Sequence, residues 1–206
     1  MFSGFFICSI IGFISNMIYG AISNETLILV LNFLSNFFIC FGGIFILIVN
    51  LIILESTIIF SIKRQNRYII LYGIILLTGM LIFYSLGGVQ ISEVGTPIWT
   101  PPFFGFVISV ITGFAVIPII ITSLKIYFRF ETRVLKKKWL YYLIGEVGSF
   151  SVAYLVFINN LIYWIFYVVK REIPTFNLFF SLYSISVIIW ASLMYYGIGF
   201  KLKTKT

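Results

Sequence analysis

An all-α fold, a polytopic bundle of transmembrane helices, follows from three properties of the sequence. The chain of 206 residues is 61% apolar and only 10% charged, with a mean hydropathy of +1.12. Apolar runs of about 18 residues or more recur along it, the length at which a helix crosses a bilayer core. Twelve of the fourteen basic residues fall into three patches separated by those runs: Lys63, Arg64 and Arg67; residues 125–138; and Lys201, Lys203 and Lys205. Hydrocarbon offers no partner to an unpaired backbone group, so only helices or closed barrels span it, and the alternation of a barrel strand persists nowhere here. A single integral membrane domain over residues 1–206 is expected.

Six spans are predicted. The first covers about residues 2–22. Asn24 suits the N-cap of the second, with Glu25 at the positive end of that helix. The second run, 27–62, has 36 residues and would be roughly 54 Å long at 1.5 Å per residue. A bilayer core is about 30 Å thick, so this helix should tilt, bend near Gly42 and Gly43, or protrude. The third and fourth spans, about 68–89 and 103–124, flank a connection at 90–102. Pro97, Pro101 and Pro102 stop helices there, and Trp99 suits a membrane interface. Pro118 is expected to kink the fourth span, with the Thr122 hydroxyl serving the freed backbone. The fifth span, 139–169, is overlong, and Asn159 and Asn160 should mark where it leaves the hydrocarbon. A sixth, about 176–200, leads into a basic tail.

With six spans the three basic patches share one side, cytoplasmic by the positive-inside rule, and both termini lie inside the cell membrane. The outer loops then carry only Lys170 and Arg171. A leader cleaved at 21–23 is the alternative, although no basic residue precedes the first apolar stretch. Small-residue ladders at Gly105, Ser109 and Gly113, and at Gly145, Ser149 and Ala153, read as helix-packing faces.

Composition excludes several chemistries. The chain has no His and no Asp, which removes Ser-His-Asp catalysis and carboxylate–histidine metal sites. No glycine-rich phosphate loop is present. No cofactor, metal or enzymatic activity is expected. Cys8 and Cys40 lie within apolar runs and read as buried thiols. The basic residues sit in short loops beside apolar helices and form no solvated face for nucleic acid.

Polar residues inside the apolar runs are the candidates for function. Glu146 lies eight residues past Lys138, roughly 12 Å into its helix. A carboxylate at that depth is costly unless paired, protonated or wetted, which makes it a functional candidate. Ser149, Ala153 and Asn160 share its face within about 60°. Glu55, eight residues before Lys63, is a second candidate that would form a paired site if it met Glu146. In the second span Asn32, Asn36, Gly43 and Asn50 fall within about 40° of one another. Such a stripe should face protein and either join helices or line a polar pocket.

In the loop at 125–138, Lys125, Arg129, Arg133 and Lys137 recur every four residues. If the preceding helix continues through them they form a cationic stripe. It would contact anionic headgroups of the bilayer, or an acidic cytoplasmic or membrane protein partner.

The expected function is a non-enzymatic small-ligand or ion binding and transport component. Six spans, inward termini and buried polar stripes resemble, in architecture alone, the substrate-binding membrane subunits of energy-coupled vitamin uptake systems. The alternative is a sensor or scaffolding module that relays to a cytoplasmic partner through the basic loop. It resembles the multi-helix input regions that precede prokaryotic signalling domains.

Overall fold

The computed structural model describes residues 1–92, 95–169 and 185–199. Helix dominates even though the apolar runs are rich in β-branched isoleucine, which favours strands in water. In hydrocarbon every N–H must pair within its own segment, and that requirement overrides propensity. Five helical stretches are long and apolar enough to cross a membrane: Phe2–Tyr19, Glu25–Ser56, Ile62–Ser85, Pro101–Arg129 and Arg133–Phe166. Part of the sixth predicted span, 176–184, lies outside the described residues, and its remainder includes a helix at Val187–Gly199.

Helix α1 (Phe2–Tyr19) and α2 (Glu25–Ile59) form an antiparallel pair. Asn24 caps α2 as its sequence suggests, accepting from the Leu27 amide at 3.0 Å. Close approach is set by glycine: a β-carbon at Gly12 would come within 2.6 Å of Ile39. Ser35 Oγ donates to the Gly12 carbonyl at 2.8 Å across the same contact. Gly42 and Gly43 serve the same purpose, facing Phe5 and Cys8 on one side and Ala115 on the other. Helical dihedrals in α2 are broken not there but at Ser56, with φ 66°.

Helix α3 (Ile62–Ser85) runs back along α2. The Tyr72 hydroxyl donates to the Cys40 carbonyl at 3.0 Å, and Tyr84 reaches Asn32 at 2.7 Å. The connection that follows is not merely irregular. Strands β1 (Val89–Ile91) and β2 (Pro97–Trp99) pair antiparallel, Val89 opposite Trp99. Gly87 at φ 73° supplies the left-handed turn that leads into them. Trp99 is 0% exposed and lies between Phe103 and Phe157.

Helix α4 (Pro101–Ile111), a wide turn of π-helix at Thr112–Val116 and α5 (Ile117–Arg129) form one span. Pro118 has no N–H for the Phe114 carbonyl, and the chain accommodates this by widening the preceding turn, with the Ile117 amide bonding Thr112. Thr122 does not serve the Phe114 carbonyl; its hydroxyl contacts the carbonyls of Pro118 and Ile119, at 2.7 and 2.9 Å.

Helix α6 (Arg133–Val169) carries the fifth span, and α7 (Val187–Gly199) packs antiparallel on it. Gly145 faces Trp190 and Met194, while Gly197 meets Tyr142 and the Lys138 carbonyl. The ladder at Gly145 and Ser149 is thus a packing face. At Gly105, Ser109 and Gly113 no such contact is made among the described residues: all three are exposed, and no described atom lies within 4 Å of either glycine's β position.

The basic residues at 63–67 and those between 125 and 138 stand on helical turns, the second set on either side of a short break at 130–132. Lysine and arginine are good helix formers whose stems cover apolar surface while their heads reach water. Arg129 Nη1 donates to the Leu54 carbonyl at 2.7 Å, so the α2–α3 and α5–α6 corners meet at one end of the bundle.

Gly145→Val should push α7 off α6, because a β-carbon there comes within 2.6 Å of the Trp190 carbonyl. A loss of about 1–3 kcal/mol is expected for such overpacking, whereas Gly105→Ala should leave the melting temperature unchanged. Thermal unfolding of both variants in lipid nanodiscs checks this pair.

Candidate functional site

The site is built from three helices that are distant in sequence. In α6, Trp139, Tyr142 and Glu146 follow at spacings of three and four and so share one face. All three are buried, with Tyr142 and Glu146 at 0% exposure. That face meets Asn50 of α2 and Ser123 of α5, each also 0% exposed.

The hydrogen bonds form a closed junction. Asn50 Nδ2 donates to Glu146 Oε1 at 3.0 Å and to Ser123 Oγ at 2.7 Å. A third, longer contact of 3.4 Å runs from the same nitrogen to the Ile119 carbonyl. The Ser123 hydroxyl in turn donates to Glu146 Oε2 at 2.5 Å. The Tyr142 hydroxyl donates to Asn50 Oδ1 at 3.1 Å, and the Trp139 indole N–H donates to the Ser123 carbonyl at 2.8 Å. Asn50 and Ser123 thus give one hydrogen bond to each carboxyl oxygen, the Tyr142 hydroxyl lies beside them, and all three side chains are neutral. Among the described residues the ion pair is Arg64–Glu55 and none involves Glu146.

The other residues singled out by sequence lie elsewhere. Asn32 and Asn36 bond each other at 2.9 Å, and Tyr84 completes a separate buried group with them. They stand 14 or more residues from Asn50 along α2, roughly 21 Å. Glu55 pairs with Arg64 at 2.9 Å at the basic end and does not join Glu146. Its place just before the break at Ser56 lets it reach the start of α3. Ser149 shares the Glu146 side of a helical wheel only loosely and turns to α7, meeting Met194 Sδ at 3.6 Å. Asn160 donates to the Val156 carbonyl of its own helix at 3.0 Å, which leaves its amide no part in the junction.

The four-residue basic ladder is also divided. Phe130 is extended (φ −70°, ψ 128°), so Lys125 and Arg129 belong to α5 while Arg133 and Lys137 belong to α6. All four are exposed, but they form no single helical stripe.

Three residues of the junction, Ser123, Trp139 and Tyr142, were not singled out by sequence. Tyr142 carried a usable signal, since Trp139, Tyr142 and Glu146 place three polar-tipped side chains on one face. Ser123 is one hydroxyl in an apolar helix and has no periodic signature. Among the described residues no group of three or more His, Cys, Asp or Glu side chains could hold a metal ion. A cleft of about 430 Å³ lined by Tyr19, Ser23, Glu25, Ser92 and Thr96 lies at the opposite end of α2 from the junction. Comparison with protein-family models, curated proteins and solved structures returns no match.

Asn50→Ala should strand Glu146 Oε1 and the Tyr142 hydroxyl together, at a cost of about 1–3 kcal/mol for unmet buried polar groups. Asn160→Ala removes only a bond within its own helix and should change stability by less than about 0.5 kcal/mol. Parallel thermal melts of the two variants test whether the junction, rather than any polar residue of the bundle, carries stability.

Proposed function

We propose that this chain is a multi-pass protein of the cell membrane that binds or carries a small ligand or ion without catalysing a reaction, and that Glu146 receives a positive charge in doing so. The supporting observation is a wholly buried carboxyl group whose described partners are the neutral side chains of Asn50 and Ser123. An ionised carboxylate removed from water is costly unless a positive charge accompanies it. A proton or a small monovalent cation can supply that charge.

The chemistry of the donor set suits either. Rotation of the Asn50 amide exchanges its nitrogen for its oxygen, and hard cations prefer oxygen ligands. The carboxyl oxygens of Glu146, the Ser123 hydroxyl and the Asn50 carbonyl would then surround one small volume. The π-helical turn at Thr112–Val116 leads into α5, and such turns often mark functional sites.

In this reading the protein has six spans with both termini cytoplasmic. Support comes from the bond between Arg129 and Leu54, which brings two basic patches to one end. The C-terminal end of α7 lies beside Lys138 at that same end, and Lys201, Lys203 and Lys205 follow it in sequence. The alternative, a relay to a cytoplasmic partner through a cationic stripe, is weakened by the break at Phe130 that divides the stripe.

Cation titrations of the purified protein in nanodiscs test the proposal. A ligand that binds only the folded state stabilises it by about 2.7 kcal/mol at a hundred times its Kd. Sodium, potassium, lithium or acid should raise the melting temperature of the wild type and leave Glu146→Gln unmoved. Equal responses in both proteins would remove Glu146 from the binding reaction.

A further inference from the structure

Helix α3 opens at the basic end of the bundle and carries its charges only in its first two turns. Lys63, Asn66 and Arg67 are followed on the same side by Ile70, Leu71 and Ile74, and these six residues line one groove of about 460 Å³. Spacings of three and four put them on one helical face. From Lys63 to Ile74 the groove extends roughly 16 Å along the helix, about the depth of one leaflet of hydrocarbon.

Its charges are not consumed by the protein. Arg64, between them in sequence, turns to Glu55 and lies over the Phe60 ring, with its guanidinium carbon 5.3 Å from the centroid. Lys63 and Arg67 face outward, and no ion pair claims either one among the described residues. The apolar part is equally open: Ile70, Leu71 and Ile74 are each more than half exposed, at 59%, 56% and 57%. A polar amide and two cations at the surface, continued by three branched apolar side chains, match one molecule end to end.

We infer that this groove is a binding site for an anionic phospholipid, with Lys63, Asn66 and Arg67 holding the phosphate headgroup and Ile70, Leu71 and Ile74 an acyl chain. The sign of the charge selects the headgroup, and the gradient from charged to apolar along a single face selects a lipid over a soluble anion. The inference is independent of the Glu146 junction, whose residues lie on α2, α5 and α6. It adds a defined site to the general attraction of the basic corners for an anionic leaflet.

Native mass spectrometry of the delipidated protein, titrated with phosphatidylglycerol or phosphatidylcholine in neutral detergent, reads the site directly. Each basic residue near an anionic surface is worth about a fivefold preference. A Lys63→Gln/Arg67→Gln protein should therefore lose roughly 25-fold in affinity for the first bound phosphatidylglycerol. Ile70→Trp, which fills the apolar half and leaves both charges, should weaken the same lipid. A Lys203→Gln/Lys205→Gln protein, matched in net charge, should bind like the wild type. Circular dichroism melts confirm that each variant is folded. Unchanged phosphatidylglycerol affinity in the Lys63/Arg67 variant would overturn the site. So would an equal loss in the Lys203/Lys205 variant, which would mean bulk charge alone. Displacement of the lipid by millimolar inorganic phosphate, with Ile70→Trp behaving as wild type, would show a phosphate-ion site and likewise overturn the inference.

Discussion

Three helices are tied together at one carboxyl group. Glu146 of α6 accepts from Asn50 of α2 and Ser123 of α5, and those two side chains bond each other, so each helix contributes one corner of a closed triangle. Hydrophobic burial gives little preference between one helix contact and another when the surroundings are as apolar as the helices themselves. Polar groups do discriminate, because leaving one unpaired in hydrocarbon is costly. The triangle fixes which faces of α2, α5 and α6 meet. The glycine contacts of α1 on α2 and α7 on α6 then follow as close packing around an established centre.

The same requirement explains the shape of the fourth span. Ser123 must reach Glu146 from a helix that carries Pro118 five residues earlier. Widening the turn at Thr112–Val116 accommodates the proline without breaking the span. Ala115, within that turn, lies against Gly43 of α2, a contact only small residues allow. The β-hairpin and the buried Trp99 close the far end of the bundle, where Asn32, Asn36 and Tyr84 bond one another. Polar residues that looked like one stripe on α2 thus belong to two neighbourhoods with different partners.

Much of the architecture was legible in the sequence because hydropathy and length respond to a single strong constraint, the solvation of the backbone. The Asn24 cap, the apolar helices and the burial of Glu146, Asn32, Asn36 and Asn50 all follow from local chemistry. What escaped depended on contacts between helices. Asn50 and Ser123 are 73 residues apart in sequence and Asn50 and Glu146 are 96 apart, so no window contains either pair. Glycine spacing showed that close packing was possible, but not where a partner exists, which is why Gly145 packs and Gly105 does not. The basic patches were misjudged as loops because charge was taken as the end of a helix. Their side chains instead reach water from continuing helical turns.

The central claim is that the Glu146 carboxyl group exchanges a positive charge with its surroundings. Infrared difference spectroscopy on glutamate-labelled protein, wild type against Glu146→Gln, observes that group itself. Stepping the proton or sodium concentration should produce a carboxyl difference band in the wild type that is missing from the variant. A carboxyl band that stays fixed across both titrations, in protein that remains folded, would contradict the account and reduce Glu146 to a structural clasp.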